Sequence, residues 1–205
     1  MIVDFAEVLP KLSRSIEQYP VYIETGTGMG QSIEAAVAAG FRCLYTVELS
    51  GARSREAAAR LVRKGARIIL KTDKHIIVET DSGQTVHFLI NDSRLIFPRL
   101  LEILNIPVAV HLDAHFCRPG NIGDPPAVSG CFSLWDELDH LNAHNFPDIV
   151  SVDDMHTFGR DRPDLGKADR KIWESVTPER ILEFSAQRVK SSFVYRDSFI
   201  LEMTG

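Results

Sequence analysis

The sequence predicts an α/β fold, a doubly wound and mostly parallel sheet covered by helices on both faces. Three observations carry this expectation. Short apolar runs of strand length alternate with helical stretches between residues 21 and 152, the pattern of parallel strands joined by crossover helices. The first apolar run ends in a glycine-rich turn that opens directly onto a helix of small residues. Two later runs, 108–110 and 149–152, end in aspartate and histidine, at the strand ends where ligands collect in open α/β sheets. The 205 residues, 44% hydrophobic and 25% charged, suffice for one domain over 1–205 with a sizeable core.

Taken in order, residues 4–18 read as an amphipathic helix interrupted at Pro10. Val21-Tyr22-Ile23 is a short strand, followed by Glu24-Thr25-Gly26-Thr27-Gly28-Met29-Gly30. Residues 32–39 form a helix that Gly40 stops. The next strand, 43–47, is closed by Glu48, and an Arg/Ala-rich helix covers 52–64. Three β-rich runs then crowd together between 67 and 90, separated by Asp73-Lys74 and Asp81-Ser82-Gly83. These turn signals mark hairpins and an extra β-rich insertion near 67–85. Asn91-Asp92-Ser93 leads into a helix that runs to Leu104 through Pro98, and a further helix covers 133–144. Thr177-Pro178 is a cap-and-start pair for a late helix. Runs at 192–195 and 198–203 form a closing hairpin, an antiparallel edge on the sheet.

Composition excludes several classes of function. A net charge of -5 argues against general nucleic-acid binding, and no nucleic-acid partner is expected. The arginines of 52–67 have no interleaved aromatic residues and read as a solvated face. No stretch approaches the roughly 18 apolar residues of a membrane span, and the first ten residues lack the pattern of a secretory signal. The three cysteines, Cys43, Cys117 and Cys131, suit a reducing compartment. A cytoplasmic monomer or homodimer acting on a small molecule is the expectation.

The glycine turn lets the backbone approach a ligand closely, with the free N–H groups of the following helix aimed at the same place. Glu48 stands 18 residues beyond Gly30, where a carboxylate can accept from ribose hydroxyls. The third glycine comes one residue too early for a dinucleotide turn, and Glu24 precedes the first by two. A carboxylate there is ill placed for a pyrophosphate and suits a cationic ligand. If the strands ending in His111-Leu112-Asp113-Ala114-His115 and Val152-Asp153-Asp154-Met155-His156 are neighbours, about 4.8 Å apart, three carboxylates converge. Asp113, Asp153 and Asp154 would then call for an offsetting cation such as Mg²⁺. His115 or His156 could serve as general base.

The run E-x-G-x-G-x-G, with an acid closing the second strand, resembles the first motif of the class I S-adenosylmethionine-dependent methyltransferases. L-D-A-H at 112–115 and V-D-D at 152–154 are similar to the metal-dependent sugar O-methyltransferases of the macrocin type. They are still more similar to methyltransferase-like proteins in which L-D-A-H precedes a helix of the W-D-E-L kind, here Leu134 to Leu138. The resemblance spans about residues 20–160. It implies a Rossmann-like, seven-stranded sheet and methyl transfer from S-adenosyl-L-methionine to an oxygen of a small polar acceptor, such as a sugar or glycoside. By the same resemblance, Glu24, Gly26, Gly28 and Gly30 hold the amino-acid end of the cofactor, Glu48 the ribose, and Asp92 the adenine, with Asp113 also at the cofactor. Asp92 can equally cap the helix it precedes. The metal ligands it implies are Asp113, Asp153 and Asp154, and the catalytic set is Asp113, His115 and His156. The sequence departs from the family at Ala114-His115, where a second acid is usual.

Two rivals stand beside this reading. One is a non-catalytic S-adenosylmethionine-binding or regulatory module on the same fold. The other is a divalent-metal hydrolase, since Asp113-Ala114-His115 resembles a ureohydrolase motif, although Cys117 occupies the place of its next acid. The loops 118–130 and 157–171, with Arg118, Arg160 and Arg162, are candidates for closing over an anionic substrate. Trp135 and Trp173 read as core.

Overall fold

A computed structural model of the chain describes residues 3–114, 133–157, 159–160 and 167–205. Asp4 accepts a hydrogen bond from the Ala6 N–H at 2.9 Å and starts helix α1, Phe5–Lys11. The helix expected over 4–18 stops there because Ser13 turns the chain through a left-handed conformation (φ 54°), and only a short 3₁₀ turn, Ile16–Gln18, follows. Strand β1, Val21–Thr25, is buried at all five positions. It leads through the glycine turn to α2, Gln31–Ala39, which ends at a left-handed Gly40. Strand β2, Cys43–Glu48, precedes α3, Gly51–Arg63, which is capped by Ser50. The β-rich stretch resolves into β3, Arg67–Lys71, β4, His75–Glu79, and β5, Thr85–Ile90. Then come α4, Ser93–Leu104, β6, Val108–Leu112, α5, Leu134–Ala143, and β7, Ile149–Val152. Helices α6, Lys167–Glu174, and α7, Pro178–Phe184, lead to β8, Val189–Tyr195, and β9, Ser198–Met203.

Among the described residues the strands form one sheet in the order β3-β4-β5-β2-β1-β6-β7-β9-β8. The run from β5 through β7 is parallel, and both ends are antiparallel. Removing the inserted β3 and β4 leaves the seven strands expected. The chain winds outward from β1 through β2 to β5, then returns to lay β6 on the other side of β1. That reversal opens a crevice at the carboxyl ends of β1 and β6, the usual ligand position in such sheets. Edge strand β3 is exposed throughout.

Each face of the sheet has its own core. Phe5, Val8 and Leu9 of α1, Ile33 and Ala36 of α2, and Ala57, Ala58 and Leu61 of α3 pack on one face. Phe97 and Leu101 of α4, Leu138 and Leu141 of α5, Trp173 of α6 and Ile181 of α7 pack on the other. Trp173 is fully buried and donates its indole N–H to the Thr157 carbonyl at 2.7 Å. Trp135 is only partly buried, its ring 5.3 Å from that of Phe184 and under the Arg180 guanidinium. Buried Arg188 ties the end of the chain to α5 by donating to the carbonyls of Leu141, Asn142, His144, Phe146 and Thr204. The arginines of α3 are partly engaged at the surface, where Arg60 grips Glu34 of α2 through two bonds of 3.0 Å. No helix among the described residues is long and apolar enough to cross a membrane.

Candidate functional site

The ladder hydrogen bonds run past the strand ends and set the floor of the crevice. Gly26 N–H donates to the Val47 carbonyl at 2.8 Å, Asp113 N–H to Thr25 at 3.0 Å, and Asp153 N–H to Leu112 at 3.1 Å. The three motif glycines then do different jobs. A Cβ on Gly26 would lie 2.4 Å from the Asp113 carbonyl oxygen, so the turn and the end of β6 touch backbone to backbone. A Cβ on Gly30 would lie 2.7 Å from that of Ala57, which lets α2 approach α3. Above Gly28, by contrast, a Cβ would meet nothing within 4 Å among the described residues, so they leave the turn open there. Beside that space, Glu48 accepts from the Gly28 N–H at 3.1 Å and the Ser50 N–H at 2.8 Å. A carboxylate oxygen offers more than one lone pair, so Glu48 keeps capacity for further donors.

Glu24, expected to face a cationic ligand, is instead fully buried beneath the turn. One of its oxygens accepts from Ser32 Oγ, and the other from Thr46 Oγ1 at 2.8 Å, which in turn lies 2.5 Å from Thr27 Oγ1. The acid thus links β1, β2, the turn and α2. Burial pushes its carboxyl up to about 8, the hydroxyls of Ser32 and Thr46 oppose that, and the charges of Glu48 and Asp153 add to it.

The acidic strand ends divide into two groups. His111, Asp113 and Asp153 each place one ligand atom within 4.8 Å of the others. Asp154, His156 and Asp197 form a second such group nearer the surface. Asp153 and Asp154 part company because Asp154 adopts a left-handed conformation (φ 64°) that turns the chain away from the strand. Asp154, expected beside Asp113 and Asp153, therefore belongs to the other group. Asp153 accepts from Ser198 Oγ at 2.9 Å, and its Oδ2 lies 3.9 Å from Nε2 of His111. The Nδ1 of His111 faces Ser151 Oγ at 3.2 Å. Burial first, then the negative charges of Asp153, Asp154 and Glu24, pushes the Asp113 carboxyl well above the usual range. Burial raises Asp153 as well.

Asp92 caps α4, accepting from the Arg94 N–H at 3.0 Å and pairing with its guanidinium at 2.6 Å, which lowers its carboxyl. The capping alternative is therefore realised in this structure. His115, Arg118 and Arg162, like Cys117, Cys131 and the loop 118–130, lie outside the described residues; Arg160 is exposed.

Three participants went unselected in the sequence. His111 shares a strand face with Asp113, two positions on, and that period-two spacing was a usable signal. Asp197 sits in the β8–β9 turn and reaches the site only through long-range pairing of β7 with β9. Glu137 of α5 is buried under the crevice, where Thr25 Oγ1 donates to it at 3.2 Å. Burial pushes this carboxyl up to about 7.

No protein-family model matches the chain, and no curated protein does. Solved structures are similar in fold. The O-methyltransferase TomG of Streptomyces achromogenes, involved in tomaymycin synthesis and solved with S-adenosylmethionine, superposes with a TM-score of 0.59 at 20% identity, over 98% of this chain and 80% of TomG. A methyltransferase candidate of Streptococcus mutans, solved with S-adenosylhomocysteine, gives 0.57 at 8% identity over 99% of each chain. A caffeoyl-CoA O-methyltransferase candidate of Staphylococcus aureus gives 0.56 at 13% identity, over 100% of this chain and 86% of that one. The two-sided sheet, its strand order and these superpositions give the chain the fold of the class I S-adenosylmethionine-dependent methyltransferases.

Proposed function

We propose that the protein transfers a methyl group from S-adenosylmethionine to an oxygen of a small polar acceptor, such as a sugar or glycoside. The observation that carries this is the turn at Gly28. Among the described residues it has open space above it, a backbone N–H and the Glu48 carboxylate at its edge, and a position beside the strand reversal. Glu48 would hold the ribose, and Gly26, Gly28 and Gly30 would shape the seat for the amino-acid end. Glu24 acts through the turn it braces. Asp92, at the head of α4, would take the adenine side, and Asp113 would line the floor. S-adenosylmethionine, when bound, supplies a methyl group on a sulfonium centre.

The chain's own residues supply alignment and proton management. Holding an acceptor oxygen in line with a methyl group can lower a barrier by roughly 7–11 kcal/mol at best. A hydroxyl nucleophile also needs a base, and His156, an exposed imidazole just beyond the carboxyl end of β7, is the candidate among the described residues. His111, Asp113 and Asp153 have the donor chemistry of a divalent-cation site, because a half-buried and a buried carboxyl with raised proton affinity gain from a cation between them. An imidazole in that set moves its preference from Mg²⁺ toward first-row transition ions. A cation there would polarise the acceptor oxygen.

The test is incubation with S-adenosylmethionine and a panel of sugars, glycosides and catechols, with and without Mg²⁺ or Mn²⁺, followed by mass spectrometry. S-adenosylhomocysteine with a matching methylated product is the expected result. Binding of the cofactor without turnover on any acceptor would point to the non-catalytic module instead.

A further inference from the structure

His156 and Asp197 lie in segments far apart in sequence, the 3₁₀ turn Met155–Thr157 and the reversal between β8 and β9. Antiparallel pairing of β7 with β9, with Val152 opposite Phe199, brings them together. The Asp197 backbone carbonyl accepts from the Met155 N–H at 2.9 Å. Its side-chain Oδ1 accepts from the His156 N–H at 2.8 Å, and Oδ2 lies 2.5 Å from the His156 ring Nδ1. The Asp197 side chain is 13% exposed and the imidazole 60%. One aspartate thus holds both the backbone and the ring of a histidine just beyond the carboxyl end of β7.

A carboxylate oxygen can only accept, so the short contact to Oδ2 puts the neutral ring's proton on Nδ1. Oδ1 and the backbone carbonyl anchor the turn, and the Oδ2 contact is the one made to the ring. We infer that Asp197 is a positioning residue that fixes His156 in the Nδ1–H tautomer and leaves Nε2 as its basic nitrogen. The inference rests on the reading of His156 as the base for methyl transfer. In that role the proton passes from the acceptor hydroxyl to Nε2. The oxygen's electron pair forms the new bond to the methyl carbon, and the carbon–sulfur pair leaves with sulfur. The imidazolium so formed keeps its Nδ1–H directed at Asp197 Oδ2.

Replacing Asp197 with asparagine separates positioning from anchoring. The backbone N–H of His156 is a fixed donor, so the amide oxygen of an asparagine must stay on it, and the amide NH₂ is left facing Nδ1. An NH₂ group donates, so the ring must present a bare Nδ1 and carry its proton on Nε2. Two-bond nitrogen–proton correlation spectra of the imidazole, recorded at alkaline pH, read this directly. The full-length protein is expected to show His156 as the Nδ1–H tautomer, and the Asp197→Asn variant to invert it to Nε2–H with its backbone amide spectrum otherwise retained. Asp197→Ala is expected to give a mixture of the two. An Nε2–H tautomer in the unmodified protein, or a tautomer unchanged by Asp197→Asn, would overturn the inference. So would one equivalent of Zn²⁺ displacing the Nδ1 proton, since the three residues would then be a metal site. Calorimetric titration of the same samples with S-adenosylhomocysteine tests the methyltransferase reading separately. No binding together with an inverted tautomer removes that reading and leaves the pairing standing.

Discussion

Glu24 offers the sharpest test of how the glycine turn is supported. Its carboxyl is fully buried, and burial raises it from 4.5 to about 8. The folded protein therefore keeps a proton on Glu24 across a range where the unfolded chain has lost it. The stability this contributes is fully present below 4.5, declines as pH rises, and is gone above about 8. Within that window the unfolding equilibrium shifts about tenfold per pH unit, and the whole excursion comes to about 5 kcal/mol. Glu24→Gln conserves shape and cannot ionise. Its amide oxygen and NH₂ can serve the two hydroxyls of Ser32 and Thr46, which rotate to donate or accept. Denaturant unfolding of both proteins from about pH 5 to about pH 9 reads this group, with a lesser contribution from Asp113, whose carboxyl the Glu24 charge helps to raise. The variant should gain on the parent steadily up to about pH 8 and then run parallel to it. A difference that does not change with pH would mean an ordinary carboxyl, and the account of the buried brace would fail.

Glu137→Gln should behave alike on a smaller scale, gaining about 3 kcal/mol between pH 4.5 and about 7 in the same unfolding series, since burial pushes that carboxyl up to about 7. Gly26→Ala should cost a few kcal/mol of stability and weaken S-adenosylhomocysteine binding, because its Cβ would sit 2.4 Å from the Asp113 carbonyl oxygen; unfolding midpoints and calorimetry check both effects. Arg188→Lys should destabilise by about 3 kcal/mol or more, as an ammonium cannot reach the five carbonyls that the guanidinium serves. Thermal unfolding measures that loss.

The fold was legible because its signals are local. Alternating apolar runs placed β1, β2 and the parallel strands, the turn pair at 81–83 separated β4 from β5, and Gly40 stopped α2 as expected. The glycine spacing and Glu48 likewise pointed to the crevice. What was not legible depends on one backbone angle or on distant pairing. The left-handed turn at Ser13 shortens α1. The same conformation at Asp154 splits two adjacent aspartates between different groups, although adjacency alone suggested they act together. Glu24 reads as a ligand-facing acid until Ser32 and Thr46 are seen to close over it. Asp197 joins His156 only because the last strand returns antiparallel beside β7.

Calorimetric titration of the full-length protein with S-adenosylhomocysteine, beside Glu48→Ala and an NAD control, measures the central claim most directly. The account predicts one-to-one binding to the parent protein, severe loss in Glu48→Ala, and no heat from NAD. Saturable NAD binding, or a thioether nucleoside that does not bind at all, would contradict it.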